Sequence, residues 1–205
     1  MKLLLGYHGT PVNFDSFNTE HSDEYARFGR WVYMSTNRDD VWQNYMNQDS
    51  PDMKCRIDRF MEESEHNATI ATCRAYPHGF RMLRCGYMAK NPFVIASNEY
   101  LEMTSSQIEI VVRHCGDCNE DLSLLMMGEM STLTFVQANY CEQIENMIGY
   151  DCEPGYAWQE FLDLLGFDCM VLKDVCNFFN FLNIPNNTEH YMVPTARIGT
   201  NKIFA

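Results

Sequence analysis

The chain has 205 residues, 46% of them hydrophobic and 13% aromatic, enough for one packed domain and too apolar for wholesale disorder. A formal net charge of -13 disfavours non-specific binding to phosphate backbones and leaves only a local basic patch as a route to nucleic acid. The nine cysteines are an odd number, the start is too short in apolar residues for a secretory leader, and no apolar run approaches the roughly 18 residues of a membrane span, so a cytoplasmic protein with mostly free thiols is expected.

In chain order, residues 3–5 predict a buried strand that ends in the loop Gly6-Tyr7-His8-Gly9-Thr10-Pro11. Residues 31–34 predict a second strand, entered through Gly29. Residues 39–47 predict a helix with Val41, Trp42 and Tyr45 on one side. Two strands are expected over 68–76 and 80–89 around Pro77-His78-Gly79, then a short extended piece over 93–95. Residues 107–113 alternate and are rich in β-branched side chains, which predicts a further strand. The Met- and Leu-rich stretch 121–148 reads as one or two helices, its methionine stripe being core or a partner-packing surface. A helix over 156–165 stops at Gly166, and a buried strand over 169–172, an apolar loop over 178–185 and terminal strands over 189–193 and 202–204 follow. Strands, then helices, then strands define an α+β class in one domain, 1–205, with a helical insertion at about 116–155.

Three blocks carry candidate chemistry. In Tyr7-His8-Gly9-Thr10, a histidine at a strand end can bond a sugar hydroxyl, and Gly9 lets a ligand approach the backbone because no Cβ intervenes. A structural or merely exposed histidine is the commoner occupant of such a place. In Phe28-Gly29-Arg30-Trp31-Val32-Tyr33-Met34-Ser35, followed by Tyr45, two tyrosines can sandwich a flat ring or simply fill the core. In Thr188-Glu189-His190-Tyr191-Met192-Val193, the glutamate opening an apolar strand is either a solvated edge charge or a group that holds ribose hydroxyls and stabilises positive charge at an anomeric carbon. Cys115-Gly116-Asp117-Cys118, with His114, supplies at most half of a zinc site and has no matching second pair.

In this order the blocks resemble the ADP-ribosyltransferase superfamily, in the His-Tyr-Glu class shared by diphtheria-toxin-like enzymes and poly(ADP-ribose) polymerases. They are most similar to the transferase domains of phage polyvalent proteins. Ala89-Lys90-Asn91-Pro92-Phe93-Val94 looks like the family's strand ending in Lys-Asn-Pro. Leu165-Gly166-Phe167-Asp168-Cys169-Met170-Val171-Leu172-Lys173 resembles its Gly-Tyr-Asp-Gly strand ending in Lys. Glu189 through Ile198 resembles its Glu-led strand, with Arg197 in place of a glutamine. The likeness runs from about Tyr7 to Ile198, and no motif falls between Gly116 and Gly155.

The resemblance implies a split β-sandwich of two small mixed or antiparallel sheets with peripheral helices. It implies NAD+ as co-substrate, no metal, and mono-ADP-ribosyl transfer. By position, His8 would bond the 2′-hydroxyl of the nicotinamide ribose, Gly9 the nicotinamide amide and Thr10 the adenosine side. Tyr33 and Tyr45 would stack on nicotinamide, Arg30 would pair with the pyrophosphate, and Ser35 would join the cofactor site. Glu189 would bind the ribose and stabilise an oxocarbenium-like transition state, as carboxylates do in glycoside cleavage. Trp42 stands near where the polymerases place a small serine, and Asn187 where the arginine-modifying branch has Glu or Gln, which disfavours arginine as acceptor.

The acceptor implied is a macromolecule, a protein ahead of a nucleic acid, with no membrane partner and a further partner on the 121–148 segment. The setting implied is a phage or bacterial effector acting in the host cytoplasm. The alternative is a catalytically weak or inactive module of the same fold that binds NAD+ or a partner. An RNA 2′-phosphotransferase would need a basic run that the sequence lacks.

Overall fold

The structure, a computed structural model, describes residues 1–10, 16–19, 26, 28–46, 81–95, 104–115, 119–135, 138–139, 154–173, 184–194 and 196–198. The strands expected over 68–76 and 202–204, the turn at 77–79, most of the loop 178–185, and Cys118 lie outside the described residues. In chain order come β1 (Lys2–Thr10), β2 (Val32–Ser35), α1 (Arg38–Tyr45), β3 (Arg81–Ala89), β4 (Pro92–Ile95), α2 (Ser105–Cys115), α3 (Asn119–Met126), α4 (Thr132–Phe135), α5 (Pro154–Leu164), β5 (Cys169–Leu172), β6 (His190–Val193) and β7 (Arg197–Ile198). The chain is α+β, as its order of patterns predicts.

The strands join in one seven-stranded sheet, ordered β4-β5-β6-β2-β1-β3-β7. Among the described strands only β4 and β5 run parallel; the other neighbours are antiparallel. Two sheets were expected, and the single sheet found is nearly divided. β1 pairs with β3 from Lys2↔Ala89 to Thr10↔Arg81, and β2 with β6 from Val32↔Val193 to Ser35↔His190. Between β1 and β2 the register holds at Tyr7↔Ser35 alone.

Alternation along the strands sends side chains to two faces. Val32, Met34, Val171 and Tyr191 share one buried cluster with Leu4, Leu83 and Cys85 from the other half of the sheet. Both halves therefore bury apolar surface in a common core. On the opposite face, Phe93, Met170, Leu172 and Met192 pack against the helices. Trp158 of α5 centres that layer: it is fully buried, meets Phe93 edge-on at 5.7 Å and Phe28 at 6.2 Å, and its indole N–H donates to Met170 Sδ at 3.2 Å. Leu122, Leu125 and Phe135 belong to the same cluster, so α3 and α4 are packed on the domain core. A third, small cluster of Val41, Met46 and Met82, with Tyr7 against it, lies under α1.

Local chemistry explains the helix ends. Asn37 caps α1, its side-chain oxygen accepting the N–H groups of Asp39 and Asp40, and both acids suit the positive end of the helix dipole. Asp40, Val41 and Asn44 form the buried side of α1, while Trp42, expected beside Val41, faces solvent. α5 ends at Gly166 (φ +82°), with Gly166 N–H bonded to Asp163 and Phe167 N–H to Leu162, a Schellman closure.

The strand expected over 107–113 is instead helix α2. Thr104 Oγ1 accepts the Gln107 N–H at 3.3 Å, and Gln107 Oε1 accepts the Thr104 N–H at 2.8 Å. This reciprocal capping box satisfies two donors and starts a helix. Tertiary packing of Val111, which is fully buried, outweighs the β-propensity of Ile108, Ile110 and Val112.

The Lys90-Asn91-Pro92 and Gly166-Phe167-Asp168 motifs touch. The Asp168 carboxylate accepts the backbone N–H groups of Lys90 at 2.7 Å and Asn91 at 2.9 Å. The Asn91 side-chain N–H donates to the Gly166 carbonyl at 2.8 Å. Burial pushes the Asp168 carboxyl up, but these N–H bonds outweigh it and hold the group below its ordinary value. The clamp sets the β3–β4 turn against the start of β5.

Candidate functional site

β1, β2 and β6 are consecutive at the middle of the sheet. His8 lies on β1, Tyr33 on β2, and Glu189 directly before β6. His8 Nδ1 is 2.8 Å from the Tyr33 carbonyl oxygen. A carbonyl only accepts, so Nδ1 carries the proton and a neutral ring has its lone pair on Nε2. The imidazole sits where β1 and β2 part, beyond the Tyr7↔Ser35 pair, and takes the carbonyl that a regular ladder would have used. Phe17 meets it edge-on at 5.0 Å.

Glu189 continues the β2–β6 ladder by one step. Its N–H donates to Thr36 Oγ1 at 2.9 Å, and its carbonyl accepts the Thr36 N–H at 2.9 Å. Its Oε2 accepts the Tyr191 hydroxyl at 2.9 Å, so Glu189 shares the face of Tyr191, which is that of the common core. His8 stands opposite Leu83 and is two and four residues on from Gly6 and Leu4, on that same face. The sheet thus brings His8 and Glu189 to one face, on either side of β2 and two residue rows apart: the Tyr7↔Ser35 and Ser35↔His190 pairs set His8 level with Tyr191 and Glu189 one step before His190.

Tyr33 differs. It is paired with Met192 and packs on the helical core. Its hydroxyl donates to the Gly29 carbonyl at 2.8 Å, and what it offers His8 is its main chain, not its ring. Tyr45 lies on this second side, its ring 6.0 Å from that of His190 and edge-on to it.

The remaining expected residues have identifiable surroundings. A Cβ on Gly9 would fall 2.6 Å from Met46 Cγ and 3.0 Å from Val41 Cγ1, so the close approach of α1 requires this glycine, beside any role toward a ligand. Thr10 is buried at the end of β1. The Ser35 hydroxyl accepts the Asn37 N–H at 3.1 Å and bonds Asp40. The Arg30 N–H donates to Gln159 Oε1 at 2.8 Å, which fastens the turn before β2 to α5.

Sequence reasoning missed a buried polar network behind these residues. His190 Nε2 lies 2.7 Å from Asp40 Oδ2, and the Asn44 side-chain N–H donates to Asp40 Oδ1 at 2.8 Å. Burial pushes the Asp40 carboxyl up, but the bond and charge of His190, with Ser35 and Asn44, outweigh it and hold the group below its ordinary value. The available signal was an Asp and an Asn four apart beside Val41, on the apolar side of a helix.

Among the described residues no group of three or more His, Cys, Asp or Glu is placed to hold a metal ion, and no helix is long and apolar enough to cross a membrane. In comparisons with known proteins, no family model, curated protein or solved structure matches the chain.

Proposed function

We propose that the chain is an NAD+-dependent mono-ADP-ribosyltransferase with a split-sandwich ADP-ribosyltransferase fold, His8 and Glu189 acting on the nicotinamide ribose. The observation that carries this reading is their common face on either side of β2, two residue rows apart, with the Tyr33 carbonyl fixing the His8 ring. A sheet nearly divided at Tyr7↔Ser35, with one core fed from both halves, supports the finer fold.

In this reading His8 Nε2 accepts a bond from a ribose hydroxyl, because Nδ1 is committed as donor to Tyr33. The Glu189 carboxylate accepts from the 2′-hydroxyl and stabilises the positive charge that grows at C1′. The C1′–N bond breaks, its electron pair leaves with nicotinamide, and the acceptor's nucleophile bonds C1′ and gives up a proton. Thr10, on the face of His8, and Arg30 would complete the NAD+ site, while Ser35 and Tyr45 lie on the other face of the sheet, against His190 and Asp40. The packed and hydrogen-bonded Tyr33 ring favours a second reading, a module of this fold that binds NAD+ or a partner without turnover.

The deciding experiment incubates the purified chain with labelled NAD+ and cell extract and follows nicotinamide release and label transfer. Wild type should release nicotinamide, and Glu189→Gln should lower the rate on the order of 10²–10³-fold. Release unchanged in Glu189→Gln would overturn the mechanism; binding of NAD+ with no release would establish the second reading.

A further inference from the structure

We propose that Tyr191 is a positioning residue for the Glu189 carboxylate, holding Oε2 so that Oε1 is presented to a ribose hydroxyl. The proposal deepens the NAD+ reading above and rests on it.

Three facts converge on this contact. The Tyr191 ring is buried in the core shared by both halves of the sheet, so packing, not solvent, fixes where its hydroxyl points. That hydroxyl donates to Glu189 Oε2 at 2.9 Å. The Glu189 backbone is pinned on both sides by Thr36, through its N–H and its carbonyl. With Cα and Oε2 both held, the side chain between them has little remaining freedom. Among the described residues, Oε1 has no protein hydrogen-bond partner. A carboxylate with one oxygen committed and the other presented is oriented before a ligand arrives, and such pre-organisation separates a catalytic carboxylate from a solvated one.

The phenol suits this role. Burial, reinforced by the bond and charge of Glu189, pushes Tyr191 above the ordinary tyrosine range. Its hydroxyl therefore keeps its proton, and remains a donor, across the neutral range. Phenylalanine would keep the ring's packing and lose only the donor, which makes Tyr191→Phe a clean probe.

The experiment pairs kinetics with a titration. Steady-state nicotinamide release from NAD+ should fall on the order of 10- to 100-fold in kcat for Tyr191→Phe, with KM changed less than about threefold, since the bond acts on the reacting geometry. In parallel, ring-13C-tyrosine NMR of the wild type, assigned by Tyr191→Phe, should place the Tyr191 phenol above the other tyrosines, and Glu189→Gln should bring it down. Unchanged kcat in Tyr191→Phe, beside an active wild type and an inactive Glu189→Gln, would overturn the proposal and leave the reaction standing. A wild type that releases no nicotinamide would overturn the reaction instead. The titration then decides alone: a Tyr191 phenol indifferent to Glu189→Gln would show that the carboxylate is not held.

Discussion

His190 and Asp40 stand 150 positions apart in the chain, and their side chains meet at 2.7 Å in the interior. The contact fastens the start of β6 to α1, and Ser35 ties the same carboxylate to β2. Three elements that carry Glu189, Tyr45 and Tyr33 are thus bound at one buried point.

Asp40→Ala should cost about 3–5 kcal/mol in urea denaturation, because it leaves His190 buried beside a lost partner. The pH dependence has a definite sign. The folded carboxyl titrates below its ordinary 3.8, so the unfolded chain binds the proton first as pH falls. The stability Asp40 contributes is complete well above 3.8 and is lost as pH drops below that value through the folded one. The gap between wild type and variant should narrow there.

His8→Asn separates the two ring nitrogens. An asparagine amide at the place of Nδ1 can still donate to the Tyr33 carbonyl, so His8→Asn should keep stability within about 1 kcal/mol. It removes Nε2, and nicotinamide release should fall on the order of 10²-fold. A variant that keeps full release would show that Nε2 does not reach the ribose.

At the α5 N-terminus, Gly155 has no room for a side chain: a Cβ would lie 1.9 Å from the Ala26 carbonyl oxygen and 2.6 Å from the Gly29 N. Gly155→Ala should destabilise by about 3 kcal/mol, as overpacking against backbone does. It should also displace the turn whose Gly29 carbonyl receives the Tyr33 hydroxyl, a change visible in near-ultraviolet circular dichroism.

The Asp168 clamp has its own titration. Burial, with the charge and bond of Asp168, pushes the Tyr87 phenol up to about 12. Asp168→Asn should lower it toward the ordinary 10.0, measured by tyrosine 13C NMR. The stability lost should stay near 1 kcal/mol, because the carboxylate is partly solvated.

Helix α2 offers the fifth test. Thr104→Ala breaks the capping box with Gln107 and should cost about 1 kcal/mol, read by hydrogen exchange of the α2 amides.

The same helix marks where sequence reading ended. β5 and β6 were legible because every residue in them is buried, which writes an apolar run through β5 and, after His190, over 191–193. Residues 107–113 offer an equally plain β-branched alternation, and the Thr104-Ser105-Ser106-Gln107 start signal before it, four polar residues long, is the weaker pattern in the sequence. His8, Tyr33 and Glu189 stand out in the sequence only through their order. Their faces are not legible there, since the face each side chain takes depends on pairings such as Tyr33↔Met192 between distant segments. The His190–Asp40 bond was hidden for the same reason: each residue alone reads as a surface charge.

The single rung at Tyr7↔Ser35 has a mechanical consequence. A sheet joined so narrowly transmits little twist through its backbone, and the His8–Tyr33 bond adds one tie across the seam. The shared side chains set the angle between its halves. Leu4, Met34 and Cys85 act as shims between two plates, and changing their thickness would alter the spacing of His8 and Glu189 across the seam while leaving each plate intact.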